Sequence, residues 1–182
     1  MVFKSSTVFM CNLHENKANF FRAANSILSH VGSKNIVVLM SLVFAKCLPM
    51  LTYAVSAMML KKYECSKLDN CLDLFLAKIF GTFNKNILRN CLYCTGYLPV
   101  SLTVALIKMN FLKSFLQPQS YNNKLFYLLK SVSREDLSTL MASYKINFYD
   151  SPSVRKLKIW TYFESTLWTL CSLLIIVPVC CA

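Results

Sequence analysis

The sequence is poor in glycine and proline: its 182 residues include three glycines and five prolines. Multi-stranded sheets need many tight turns, and such turns depend on these two residues. The shortage therefore argues against a sheet fold and favours helices joined by short connections. Three glycines spread along the chain also exclude a glycine-rich phosphate-binding loop.

Acidic residues are scarce as well. There are 8 Asp and Glu against 20 Lys and Arg, which gives a formal net charge of +12. A strongly basic chain favours a polyanionic partner, either nucleic acid or an acidic membrane surface. The carboxylates are scattered, and no Asp-Asp pair of the kind that holds two catalytic metal ions is present. The sequence therefore predicts no self-contained enzyme, no metal site and no cofactor.

Histidine and cysteine do not form a metal-binding pattern. Cys91 and Cys94 have a zinc or redox spacing, but no second pair exists, and His14 and His30 lie far upstream. The nine cysteines are an odd number, and residues 1–16 offer no apolar core long enough for a secretory signal. We therefore expect reduced thiols in a helical core and an intracellular protein, in the cytoplasm or the nucleus.

One apolar stretch, residues 35–60, carries a single charge, Lys46. About 20 mostly apolar residues cross a bilayer, and such residues offset the roughly 2.5–3.5 kcal/mol that one lysine costs. At 100° per residue, however, the polar side chains fall within one arc of about 140°, and Pro49 interrupts the helix. The pattern favours a pair of buried core helices, with a membrane span as the open alternative. The polar residues of the arc are Asn35, Ser41, Lys46, Thr52 and Ser56.

Apolar residues recur at helical spacing in five further segments, each with a start or stop signal. In chain order the predicted helices are residues 15–31 before Gly32, residues 66–80 between a cap at Ser66 and a stop at Gly81, residues 97–116 opened by Pro99, residues 133–146 capped by Ser133, and residues 151–170 opened by Ser151 and Pro152. The fold class that follows is all-α, an irregular helical bundle with a hydrophobic C-terminal helix or tail.

Basic residues in the first half of the chain are interleaved with aromatic and polar residues, as a surface that contacts a phosphate backbone requires. A solvated helix face gives the same pattern at any single position, so the prediction rests on the excess of positive charge. The candidate nucleic-acid contacts are Lys17, Arg22, Lys34, Lys61, Lys62, Lys67, Lys85 and Arg89.

A succession of motifs carries a family resemblance. The segments are NKANFFRAANSILSHVG (16–32), CLPMLTYAVSAMML (47–60), SKLDNCLDLFLAKIF (66–80) and CTGYLPVSLTVALIKMNFL (94–112). Their order resembles the region after the polymerase palm in reverse transcriptases of non-LTR (LINE-type, jockey-like) retrotransposons. In that family an N-S-I-L helix precedes a C-L-P-x-L-x-Y segment, a helix ending near K-I-F, a G-x-L-P turn and an F-L helix. The match covers residues 16 to about 116, and the stretch to about 150 is compatible with it.

The resemblance implies a thumb-like helical region, which in the complete enzyme grips the template-primer duplex behind the active site. The expected parts are a non-matching leader at 1–15, a thumb-like domain at 16–150, and a C-terminal helix and hydrophobic tail at 151–182. The tail lies outside the resemblance and is either a membrane anchor or readthrough sequence beyond a decayed element. The expected partners are RNA or an RNA-DNA duplex, bound weakly and without sequence preference, and a polymerase palm. The aromatic-x-Asp-Asp turn of the family is absent from this sequence, so no catalytic residue is carried over and we expect a non-catalytic fragment.

A small helical membrane protein is the alternative interpretation. Its spans would lie near residues 35–60 and 165–182, with Arg155, Lys156 and Lys158 on the cytoplasmic side of the second. The tail LWTLCSLLIIVPVCCA is sixteen residues long and interrupted by Pro178, which is short for a span. Only under this alternative would a membrane be the partner and the location.

Overall fold

The computed structural model describes residues 2–4, 10–32, 35–55, 60–116 and 124–172. Within them the chain is an irregular bundle of helices, which confirms the predicted all-α class. A pair of three-residue strands that the sequence pattern did not indicate, β1 (Val2–Lys4) and β2 (Met10–Asn12), pairs antiparallel ahead of the bundle. The helices are α1 His14–Val31, α2 Ile36–Leu42, α3 Leu48–Leu51, α4 Lys62–Phe80, α5 Lys85–Cys94, α6 Val100–Leu116, α7 Lys124–Ser143 and α8 Pro152–Ser172.

Three of the predicted helix ends are confirmed. Gly32 and Gly81 follow the last residues of α1 and α4 with φ of 69° and 66°, a region that favours glycine over residues with a side chain. At the start of α8, Ser151 accepts a hydrogen bond from the Val154 N–H at 3.3 Å, and Pro152 is the first helical residue. Local chemistry therefore sets these boundaries.

Two predicted helix starts are wrong. Helix α4 begins at Lys62, because the Glu64 carboxylate accepts a hydrogen bond from the Lys61 N–H at 2.8 Å and caps the helix there. Ser66 lies inside α4, where its hydroxyl donates to the Lys62 carbonyl at 3.1 Å. Ser133 lies in the middle of α7, because the Leu- and Lys-rich residues before it favour helix and extend it toward the N-terminus.

The apolar stretch forms α2 and α3, joined by a π-helical turn at Val43–Cys47. In this turn the Leu48 N–H bonds to the Val43 carbonyl, five residues earlier. Pro49 accounts for the wider turn, because proline has no N–H and its ring crowds the carbonyl four residues before it. The helix is therefore interrupted near its middle, as the position of Pro49 predicts.

One side of this stretch is buried in the core and the other is exposed. Leu39 and Leu51 are fully buried, whereas Lys46 is exposed, as the helical arc predicts. Thr52 departs from the arc, because it is only 8% exposed. Its hydroxyl donates to a carbonyl of its own helix at 3.1 Å, which satisfies the buried polar group. Ser56 lies outside the described residues.

Among the described residues, no helix has both the length and the apolar content that crossing a bilayer requires. Helices α2 and α3 have 7 and 4 residues. Most of the second candidate span, residues 173–182, lies outside the described part of the chain. Of its basic flank, Arg155 is buried and the Lys158 ammonium lies 2.7 Å from an Asp150 carboxylate oxygen.

Helix α4 is central and packs against α1, α5 and α6. Phe20 of α1 meets Phe75 of α4 edge to face, with both rings buried and their centroids 6.1 Å apart. Helix α6 packs in turn against α7 and α8, and α8 also contacts α5. This arrangement leaves an open cleft where α4 to α8 meet. The predicted domain limits at residues 15 and 150 stay predictions.

Candidate nucleic-acid interface

Basic side chains from three helices line this cleft, which has a volume of about 630 Å³. Lys62 comes from α4, Lys85 and Arg89 from α5, and Lys108 from α6. Three of these four, Lys62, Lys85 and Arg89, are sequence-predicted contacts. Lys85 and Arg89 lie one turn apart on α5, and the fold brings Lys62 of α4 to the same cleft. We call this site the basic cleft.

Lys62 and Lys85 are the exposed cations of the basic cleft. Each is the first residue of its helix, α4 and α5 respectively. The Lys85 ammonium donates to the Asn70 side-chain oxygen at 2.9 Å, which holds it at the edge of the cleft. Both ammonium groups are therefore placed where a phosphate outside the protein can reach them.

Arg89 is anchored by Asp69 of α4. Its guanidinium lies 3.9 Å from one carboxylate oxygen of Asp69. The other oxygen accepts a hydrogen bond from the Ser101 N–H at 2.9 Å, in the first turn of α6. A carboxylate at that position satisfies an open helix N–H and interacts favourably with the helix dipole. Asp69 thus joins α4, α5 and α6 and fixes the back of the basic cleft.

Lys108 was missed by the sequence analysis. It is half-buried in α6, and its ammonium lies 3.4 Å from an Asp136 carboxylate oxygen of α7. The available signal was its position as one charge within VALIKMNFL, where an apolar helix face carries a lysine. Such a lysine extends its charged end to a wet edge or a partner carboxylate, and here it does both.

Two tyrosines also line the basic cleft, Tyr144 after α7 and Tyr162 in α8. Their ring centroids are 5.0 Å apart, with the planes nearly perpendicular at 86°. Burial raises the pKa of the Tyr144 hydroxyl, so that this ring stays neutral at physiological pH. The rings give the cleft an aromatic wall beside its cations.

The other predicted contacts lie elsewhere. Lys17 and Arg22 are on α1 and do not line the basic cleft; Lys17 is half-buried, and Arg22 is exposed with its guanidinium donating to Asn19 at 3.2 Å. Lys61 is exposed directly before α4, and Lys67 is exposed with its ammonium 4.9 Å from the Tyr63 ring centre. Lys34 lies outside the described residues. The structure thus brings three of the predicted contacts to the basic cleft, and of the other described ones, Lys17, Arg22, Lys61 and Lys67, none lines it.

Cysteine chemistry does not mark a site in the described residues. Cys91 and Cys94 both lie on α5, and in the described part of the chain no three histidine, cysteine or acidic side chains come together as a metal site. Cys65 lines the basic cleft, but burial is the main cause that raises its thiol pKa. A raised pKa disfavours the thiolate, which is the nucleophilic form.

Comparison with models of protein families, with curated proteins and with solved structures found no match.

Proposed function

We propose that the chain is a thumb-like helical domain of the LINE-type reverse transcriptase kind, which binds a template-primer duplex and does not polymerise. The observation that carries this proposal is the meeting of Lys62, Lys85, Arg89 and Lys108 at one cleft of an all-helical scaffold. The order of the motifs in residues 16–116 resembles the LINE-type reverse transcriptases, and this resemblance is the reason for proposing that family. The net charge of +12 attracts the chain to a polyanion.

The charges at the basic cleft favour phosphate as the group that is bound. In the described part of the chain, Asp69 is the one acidic residue in the lining; it pairs with Arg89, and Asp136 beside the cleft pairs with Lys108. The Lys62 and Lys85 charges therefore exceed the carboxylates near the cleft. Because Lys62 and Lys85 are exposed, they contact a backbone without being desolvated in the core. Backbone contacts of this kind give affinity and position without reading sequence.

The four aspartates of the described residues support a role without catalysis. Asp69, Asp136 and Asp150 each lie within 4 Å of a lysine or arginine, and Asp73 is buried. Polymerase chemistry needs two metal ions held by paired carboxylates. A palm that carries such a pair is therefore the expected partner of this domain in the reaction.

Binding to a labelled RNA-DNA duplex tests the proposal. We expect weak binding without sequence preference, with an association constant that falls steeply as salt rises from about 50 to 200 mM, because phosphate contacts release counterions. The same preparation should incorporate no nucleotide with Mg²⁺ or Mn²⁺. Absence of binding at about 50 mM salt, or binding that is indifferent to salt, would contradict the proposal, and so would incorporation above a blank preparation.

A further inference from the structure

The basic cleft has a volume and an aromatic wall that suit a ligand smaller than a duplex. A volume of about 630 Å³ lies in the range of small-ligand sites, which is about 300–1,000 Å³. A nucleic-acid duplex is wider than its own major groove, which alone measures about 12 Å, so a duplex rests across the mouth. A single unpaired nucleotide is small enough for a site of this volume.

The lining changes character from mouth to floor. Lys62 and Lys85 are exposed, whereas apolar side chains such as Leu102, Ala105 and Phe163 are buried. A ligand that fits this gradient carries negative charge at one end and a flat, weakly polar body at the other. A nucleotide has this shape, with its phosphate outside and its base inside.

Aromatic and polar groups favour a base over a lipid chain as that body. The Tyr144 and Tyr162 rings line the same cleft, and stacking of bases on aromatic side chains is the usual way to hold unpaired nucleotides. Asn86 and Ser101 add an amide and a hydroxyl to the lining. Such groups are able to hydrogen-bond to the edges of a base, whereas an alkyl chain offers them no partner.

We infer that the basic cleft holds one unpaired nucleotide at the end of the bound duplex, with its phosphate at Lys62 and Lys85 and its base against Tyr144 and Tyr162. This inference rests on the proposed function, because the duplex brings the nucleotide to the cleft. It adds a preference for a duplex with an unpaired end over a blunt duplex.

Fluorescence anisotropy with three labelled RNA-DNA duplexes tests the inference: one blunt, one with a single-nucleotide overhang, and one whose overhang is abasic. We expect the overhang to tighten binding about 5-fold or more, since base stacking on an aromatic side chain accounts for at least that factor. The abasic overhang keeps the phosphate but lacks the base, so it should lack this gain; the difference in affinity between the two overhangs is the overhang gain.

Variants identify the aromatic wall. Tyr162→Leu removes a ring that is 42% exposed, and it should abolish the overhang gain; Tyr162→Phe keeps the ring and should retain it. Tyr149→Leu is the matched control, because Tyr149 is 94% exposed and does not line the basic cleft. Circular dichroism checks that each variant is folded. If Tyr162→Leu unfolds, the abasic duplex and Tyr162→Phe still test whether the base contacts the aromatic wall.

Each outcome separates the inference from the proposed function. A gain that persists in folded Tyr162→Leu, or equal binding of the overhangs with and without the base, overturns the inference and leaves duplex binding standing. Loss of the gain in Tyr149→Leu as well overturns it too. An overhang gain that is absent also overturns the inference. If vesicles of phosphatidylserine then displace the blunt duplex, the cleft is assigned to an acidic amphiphile instead. Binding to none of the three duplexes overturns both proposals.

Discussion

Two aspartates one turn apart on α4 should respond in opposite directions to the same substitution. Asp73 is 8% exposed, and its Oδ2 has no hydrogen-bond partner among the described residues. A buried acceptor without a partner costs about 1–3 kcal/mol of desolvation, and more when charged. Asp69 instead accepts from Ser101 and faces Arg89. We therefore expect Asp73→Asn to stabilise the fold by about 1–2 kcal/mol and Asp69→Asn to destabilise it by a similar amount.

The pH dependence of the Asp73 effect has a definite sign. Burial is the largest cause that raises the pKa of the Asp73 carboxyl above its ordinary value of 3.8, and it outweighs the nearby Arg89 charge, which lowers it. In the folded state the carboxyl therefore binds its proton more readily than in the unfolded chain. The contribution of Asp73 to wild-type stability should therefore become less favourable as pH rises from 3.8 through the raised pKa, and the advantage of Asp73→Asn should vanish below pH 3.8.

Urea unfolding followed by circular dichroism at pH 7 and in steps down to pH 3.5 measures both effects. The two variants have the same substitution on the same helix, so that each is the control for the other. Equal destabilisation by both variants at pH 7, or an Asp73→Asn advantage that grows toward acid pH, would refute the reasoning.

Three further predictions concern the core and one surface pair. Leu51→Asp should unfold the domain, because it buries an unpaired charge, and limited proteolysis measures this. Lys46→Leu should change stability little and leave the chain equally extractable from membranes by an alkaline carbonate wash, because Lys46 is exposed. Phe20→Ala should cost about 3–5 kcal/mol in urea unfolding, as expected for a fully buried aromatic ring. Asp150→Asn should destabilise the fold at neutral pH, because the Lys158 ammonium and a backbone N–H hold the pKa of the Asp150 carboxyl below 3.8. The wild type and the variant should become equally stable once acid protonates the wild-type carboxyl, and a difference in unfolding free energy that persists there would contradict this.

The helix ends that depend on a single residue type were predicted correctly from the sequence. Gly32 and Gly81 end helices because their positive φ favours glycine, and Ser151 with Pro152 opens α8. Ser66 failed as a start because Glu64 offered a competing cap a few residues earlier. Helix capping is thus readable from sequence where one signal stands alone, and ambiguous where two compete.

The candidate site was predictable only in its chemistry. An excess of basic residues indicated a polyanion partner, and Lys62, Lys85 and Arg89 were among the candidates. Their meeting with Lys108 depends on how α4, α5 and α6 pack, and no spacing along the chain contains that information. The tyrosine wall depends in the same way on the packing of α8.

The salt dependence of duplex binding by matched double variants tests the central claim most directly. Lys62→Gln with Lys85→Gln removes two exposed cations of the basic cleft, and Lys46→Gln with Lys78→Gln removes two exposed cations that do not line it. Both variants have the same net charge. The logarithm of the association constant falls linearly with the logarithm of salt concentration. We predict that this negative slope becomes shallower by about 2 in the first variant, at about 0.9 per lost phosphate contact, and keeps its wild-type value in the second. Equal slopes in the two variants would contradict the assignment of the basic cleft as the nucleic-acid interface.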